Sequence, residues 1–223
     1  MIVDLNLKGK HVIVIGGGVE GVRKVKGLLG QGCKITVISS RLNRFLVDCS
    51  KRNDVEIIKA EIKNADILSK YRDASVVLAA TNDRLLNRQL IKKGRDLGAF
   101  VYAADDPTVS DFFYASVINI EGVMQVAIST SGKSPIVARK VRIRAERVLR
   151  KIIRKTDIDN ARLQEFARLA AREKIRTVVG RKQFLYSLIN DKSIQNLIKE
   201  DKMEEAKSAT LVLLQSWSEN RPG

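Results

Sequence analysis

The run Gly16-Gly17-Gly18-Val19-Glu20-Gly21 constrains this chain more than any other stretch. It follows directly on His11-Val-Ile-Val-Ile15, an apolar run, and it opens a segment with helical spacing at Val19–Leu29. Gly16, Gly18 and Gly21 satisfy G-x-G-x-x-G, a pattern that carries weight only between a buried strand and a helix, which is its setting here. Each glycine has its own reason. Gly16 permits the tight turn, Gly18 lets the backbone approach a pyrophosphate, and Gly21 lets the helix lie close on the strand while its N-terminal amides face the anion.

The same alternation continues downstream. Lys34-Ile-Thr-Val-Ile38, Val55-Glu-Ile-Ile58, Ser75-Val-Val-Leu-Ala-Ala80 and Phe100-Val-Tyr-Ala-Ala104 read as further strands. Several are continuous rather than alternating, as in a parallel sheet covered on both faces. Arg84–Leu97 has helical spacing, and Gly32 and Gly98 stand where helix stops belong. Repeated βαβ units predict an α/β fold, a Rossmann-like doubly wound sheet. With 223 residues there is room for one good core plus an extension. The hydrophobic fraction of 44% and mean hydropathy of −0.13 predict a soluble globular protein. No apolar run approaches the roughly 18 residues of a membrane span. The N-terminus carries no leader pattern, and Cys33 and Cys49 form neither a disulfide framework nor a metal-spaced pair, so a reducing cytoplasm is expected.

Beyond residue 112 the pattern changes. Phe113–Asn119 and Met124–Ile128 read as two short strands joined at Glu121-Gly122. Ser134-Pro135 then opens a long helix, with serine as N-cap and proline at the first helical position. Val137, Val141, Ala145, Val148 and Ile152 form one stripe on it, either a partner surface or a cover for the chain's own tail. The remainder reads as helices. The division expected is a nucleotide-binding sheet domain at 1–112, a dimerisation segment at 113–155 and a helical domain at 156–223.

The candidate chemistry is unevenly determined. Where a dinucleotide site often places an acid to hold the ribose, strand two ends in Ser39-Ser40-Arg41. Arg41 can reach a 2′-phosphate, which leaves NAD and NADP both open on the residues alone. Ser131-Gly132-Lys133-Ser134 imitates the end of a phosphate-binding Walker loop, but Ala127 stands where its first glycine belongs, and Pro135 removes an amide. An ATPase is rejected, while an anion site at this helix start stands on the dipole and Lys133. The net charge is +16, and between 133 and 183 there are 17 lysines and arginines against five acids. That field suits a nucleic acid, a polyanionic small molecule or simply water. Aromatic residues are only 5% and no helix-turn-helix is evident, so no nucleic-acid partner is expected. His11 reads as a core or edge histidine. Three carboxylates follow the fifth strand, and Asp106 before Pro107 and Asp111 have turn and capping readings that Asp105 lacks.

Taken jointly, several stretches resemble one family. They are Gly16-Gly17-Gly18 with Arg23-Lys24, Leu28-Leu29 with Gly32 and Thr36-Val37, Ala79-Ala80-Thr81-Asn82-Asp83 with Asn87, Asp105 with Pro107, and Ser129 with Gly132, Ser134-Pro135 and Ala138-Arg139. This resembles the dehydrogenase–chelatase module of siroheme synthase over residues 1–155. The resemblance implies oxidation of precorrin-2 to sirohydrochlorin with hydride passing to NAD. In some members ferrous iron is then inserted as a second substrate to give siroheme. It implies a homodimer and a tetrapyrrole polycarboxylate as substrate; with no apolar run long enough to span a bilayer, no membrane partner is expected. It implies Asp105 as the catalytic base. It implies cofactor contacts at Gly16, Gly18, Val19, Glu20, Gly21, Ser40, Arg41, Thr81 and Asn82, and substrate contacts at Ser129, Lys133, Ser134 and Arg139. No resident metal is expected. Tyr102 stands where the family commonly has asparagine, and Gly21 where it often has alanine. The alternative from another class is a dinucleotide-sensing regulatory module with the same fold and no catalysis.

Overall fold

The computed structural model describes residues 2–217. They group into two compact units, one of residues 2–114 with 129–134, the other of residues 115–128 with 135–217.

The first unit is built on five parallel strands in the order β3-β2-β1-β4-β5. These are β1 His11–Ile15, β2 Lys34–Ser39, β3 Glu56–Lys59, β4 Ala74–Ala79 and β5 Phe100–Ala103. Each lies within a residue or so of the stretch expected for it. The helices are α1 Val19–Leu28, α2 Arg44–Lys51 and α3 Arg84–Asp96, with a 3₁₀ turn at Ala65–Lys70. Every residue of β1 is buried, because helices cover both faces. Val12, Val14, Val37, Val76 and Leu78 pack on one face with Val25, Leu28, Leu46 and Cys49 of α1 and α2. Ile13, Ile15, Ile38 and Val77 pack on the other with Leu86, Leu90 and Ile91 of α3 and Leu68 of the 3₁₀ turn. The chain order reverses between β1 and β4, and at such a switch point the carboxyl ends of the strands open a crevice.

Helix starts are set by side chains that satisfy free amides. Asn43 accepts from the Phe45 amide at 2.9 Å, and Asp83 accepts from Leu85 and Leu86 at 2.9 and 3.1 Å. His11 is a core residue. Its Nδ1 lies 2.9 Å from Asp73 and its Nε2 lies 2.8 Å from Thr36 Oγ1, so both ring nitrogens are engaged.

In the second unit, β6 Ser116–Ile120 and β7 Met124–Ile128 form an antiparallel hairpin. The hairpin begins three residues later than the sequence suggested. Glu121 and Gly122 turn with φ of 52° and 70°, and Asn119 Oδ1 accepts from the Gly122 amide at 2.8 Å. Then come α4 Pro135–Ile152, α5 Lys155–Lys174, α6 Val178–Asn190, α7 Lys192–Lys199 and α8 Met203–Gln215. Ile118, Ile120 and Ile158 form a small core with Ala145, Leu149 and Ile153. Helices α5 to α8 close around Leu163, Ala167, Phe184, Leu188 and Ile198. The hairpin and α4, expected as part of a separate segment at 113–155, thus group with the later helices in one unit. The apolar stripe of α4 divides: Ala145 is in the small core, whereas Val148 and Ile152 are 56% and 62% exposed. Among the described residues, no helix is long and apolar enough to cross a membrane.

Two glycines of α1 make opposite demands. A Cβ on Gly21 would sit 1.9 Å from the Gly16 carbonyl oxygen, whereas one on Gly27 would meet nothing within 4 Å. In urea denaturation Gly21→Ala should therefore lose about 2 kcal/mol or more. Gly27→Ala should gain about 0.5–1 kcal/mol from helix propensity.

Candidate active site

The glycine turn is shaped by close approach. Gly16 has φ of 112°, a region open chiefly to glycine, and a Cβ there would lie 2.2 Å from the Ala80 carbonyl oxygen at the end of β4. Gly17 is held by its amide, which donates to Ser39 Oγ at 2.9 Å. Ser39 Oγ in turn donates to the Arg41 carbonyl at 2.7 Å, which brings the Ser40-Arg41 turn against the glycine turn. Gly18 differs from both: it is exposed, and nothing lies within 4 Å of where its Cβ would be. It is the N-cap of α1 and supplies no side-chain cap, so no side chain competes for the first helical amides. Tight packing below and an open, uncapped helix start above fit a dinucleotide pyrophosphate. Val19, Ser40 and Arg41 are exposed beside this start and Glu20 is half-exposed, all open to a ligand.

The base candidate is joined through one asparagine to the end of β4, against which Gly16 packs. Thr81 follows β4, and its amide and hydroxyl donate to Asn87 Oδ1 at 3.2 and 2.6 Å. Asn87 Nδ2 donates to the Thr81 carbonyl at 3.1 Å and to Asp105 Oδ1 at 2.7 Å. Asn87 is 1% exposed on the first turns of α3, so it cannot turn away. It holds the exposed Asp105 after β5 beside Thr81 after β4. Asn82 is exposed in the same corner.

The neighbouring acids are occupied. Asp106 is 4% exposed and accepts from the Thr108 amide and hydroxyl and from Arg84 and Arg88. Those bonds, the Thr108 hydroxyl first, hold its carboxyl far below the usual carboxylate range. Asp111 accepts from Arg95 at 2.6 Å and from the Val101 amide at 2.9 Å, tying the chain after β5 back to the sheet. Asp105 alone of the three keeps an oxygen without a protein donor among the described residues.

Tyr102, the departure from the family pattern, belongs to a cage around Lys24. The Lys24 ammonium lies 3.9 Å from the Tyr102 ring centre and 3.5 Å from that of Tyr114, with Phe112 packed against both rings. Lys24 is 3% exposed, and burial first, then the Arg23 charge, lowers its pKa to about 8. Burial pushes the Tyr114 and Tyr102 hydroxyls up. The sequence reading gave Lys24 no role, although it lies on the buried face of α1 with Gly21, Val25 and Leu28. Helical spacing alone would have placed it there. The structural work of Asn87 was missed as well.

Of the expected substrate contacts, Ser129, Lys133 and Ser134 share one loop of the first unit. Ser129 Oγ accepts from Ser131 at 3.0 Å and Thr130 Oγ1 from Ser134 at 2.9 Å, and Gly132 packs against Phe113. Ser129 and Lys133 are exposed. Arg139 is an exposed residue of α4, in the second unit.

Comparison with known proteins bears on the family and the fold. A family model described as "Putative NAD(P)-binding" matches residues 3–116, and one described as "Sirohaem biosynthesis protein central" matches residues 121–144. The chain belongs to the siroheme synthase N-terminal module family. Siroheme synthase of Nitrosococcus oceani is 34% identical over 145 residues, 65% of this chain and 30% of that one. Siroheme synthase of Neisseria meningitidis serogroup C is 30% identical over 179 residues, 80% of this chain and 35% of that one. The chain therefore spans about a third of the length of the curated relatives it matches. The solved structure of SirC, a precorrin-2 dehydrogenase, shares the fold with a TM-score of 0.65 at 19% identity, over 97% of this chain and 100% of that one.

Two expectations follow. Asp105→Ala should leave the thermal midpoint near wild type, whereas Asp106→Ala should lower it by several degrees in the same melting experiment, because Arg84 and Arg88 lose their partner. The second concerns Lys24. With its folded pKa near 8 and an ordinary unfolded value of 10.5, the unfolded chain binds the extra proton between them, so stability rises with pH over that window. Above about pH 10 the caged tyrosines oppose the rise, since their raised pKa makes the unfolded chain the readier to ionise. The difference in unfolding free energy between wild type and Lys24→Met should therefore grow in favour of wild type from pH 8 to 10.

Proposed function

We propose that this chain catalyses the NAD-dependent dehydrogenation of precorrin-2 to sirohydrochlorin in siroheme biosynthesis. The observation that carries the reading is Asp105. It is an exposed carboxylate after β5, fixed by a buried asparagine beside Thr81 at the end of β4, while Asp106 and Asp111 are held by arginines. Family membership and the dehydrogenase and synthase relatives support the same reading.

A nicotinamide held at the glycine turn would supply the hydride acceptor. The carbon framework must also release a proton, and Asp105 takes it through its unbonded oxygen. Asn87 donates to the other oxygen, which orients the carboxylate. The exposed backbone at Gly18 and the first amides of α1 bind the pyrophosphate, with Val19, Glu20, Ser40, Arg41, Thr81 and Asn82 as the remaining cofactor contacts. Ser129, Lys133, Ser134 and Arg139 are the proposed contacts to substrate carboxylates. Ferrous iron is a second substrate in this reading, with Asp105 accepting the pyrrole protons it displaces. The exposed Ile136, Val148 and Ile152 of α4 support a homodimer.

The test is an absorbance assay with precorrin-2 and NAD. Wild type should give the sirohydrochlorin spectrum. Asp105→Asn should lower turnover by a factor of about 10² to 10⁴ while retaining NAD binding. Full activity in that variant overturns the role of Asp105, and turnover with NADP alone overturns the choice of NAD and points to Arg41. Nucleotide binding without any turnover by wild type moves the assignment to a regulatory module.

A further inference from the structure

Helices α5 and α6 form a groove that the proposed reaction does not use. It encloses about 600 Å³, within the range of small-molecule sites. Four cations line it, Arg168 and Arg172 from α5 and Arg181 and Lys182 from α6. Among the described residues none of the four has a carboxylate partner, although the same chain pairs Arg162 with Asp159 and Arg142 with Glu146. Arg181 uses one nitrogen to hold the carbonyls of Ile175 and Arg176 at the end of α5. Arg168, Arg172 and Lys182 are exposed and make no hydrogen bond among the described residues.

Charge alone would describe a solvated face. The groove also leaves apolar surface open beside the cations. Tyr186 and Val178 are 60% and 73% exposed, and half-buried Leu185 lies with them. Gln164 Nε2 donates to the Leu185 carbonyl at 2.8 Å, which locks α5 to α6 and fixes the width between the two rows of cations. A ligand that satisfies both features needs a flat apolar body for Tyr186 and carboxylates at its edge for the guanidinium forks.

We propose that the α5–α6 groove binds a planar macrocycle carrying several carboxylates, the class to which the product of the proposed reaction belongs. The identity of the natural ligand rests on that reading, whereas the chemistry of the groove does not. The groove is built within the helical unit from residues distinct from Asp105 and the glycine turn. One aromatic ring and a short cavity suit a compact ring system better than a run of stacked bases.

The probe is uroporphyrin, a fluorescent planar polycarboxylate, titrated into the full chain at about 0.15 M salt. The combined variant Arg168→Gln, Arg172→Gln, Lys182→Gln should weaken the groove site about 30-fold or more, since charge-assisted bonds contribute more than neutral ones. A control that removes the same charge elsewhere, Lys51→Gln, Lys59→Gln, Lys63→Gln, should change it less than threefold. Tyr186→Ala should weaken binding and reduce quenching of the porphyrin emission, with circular dichroism confirming that each variant is folded. Equal losses in the two triple variants overturn the proposal, because net charge alone would then be responsible. Tighter binding of a 20-nucleotide RNA, lost in the groove variant, overturns it in favour of nucleic acid. The dehydrogenase assay is separate: turnover with groove-independent porphyrin binding defeats this inference alone, and groove-dependent binding without turnover defeats the dehydrogenase reading alone.

Discussion

The close approach of the glycine turn to its neighbours is the constraint on which the first unit depends. Gly16 lies against the end of β4 and Gly21 against Gly16, with no room for a single Cβ in either place. This contact brings α1 down onto the central strand and sets the end of β1 beside the end of β4. The crevice at the switch point is therefore a consequence of backbone packing, and the exposed Gly18 is the one glycine of the motif left open toward a ligand.

The three acids after β5 show how similar residues acquire different tasks. All are aspartates within seven positions, and their local sequence differs little. Asp106 faces two arginines of α3 and the Thr108 hydroxyl, and Asp111 faces Arg95. Asp105 meets a neutral amide instead. A neutral donor orients a carboxylate without neutralising it, whereas a guanidinium pair satisfies its charge and lowers its affinity for a proton. Of the three, Asp105 is thus the one that keeps an oxygen without a protein donor among the described residues.

The strands were legible because residues buried on both faces form continuous apolar runs, as at His11–Ile15 and Ala74–Ala79. Helix α2 and the 3₁₀ turn at Ala65–Lys70 escaped because they are only 8 and 6 residues long, and so short a span cannot separate helical spacing from a loop. The division at 112 failed to anticipate that the loop 129–134 groups with the sheet while the hairpin groups with the helices, since loop contacts leave no periodic trace. Lys24 was passed over because a lysine reads as surface. Its place in an aromatic cage required knowing that Tyr102 and Tyr114, 12 residues apart in sequence, meet at 5.0 Å over it.

By itself the sequence determined the class of fold, the dinucleotide turn and the short acidic stretch that holds the candidate base. Those are local properties, set by periodicity, by glycine positions and by residue type. Only the tertiary structure decided which aspartate is free, because that depends on Asn87, Arg84, Arg88 and Arg95 arriving from a helix that precedes β5 in the chain. It likewise decided that Arg168, Arg172 and Lys182 converge on one groove with Tyr186. Charge and aromaticity can be read along a chain, but whether they face one another is settled by how two helices pack.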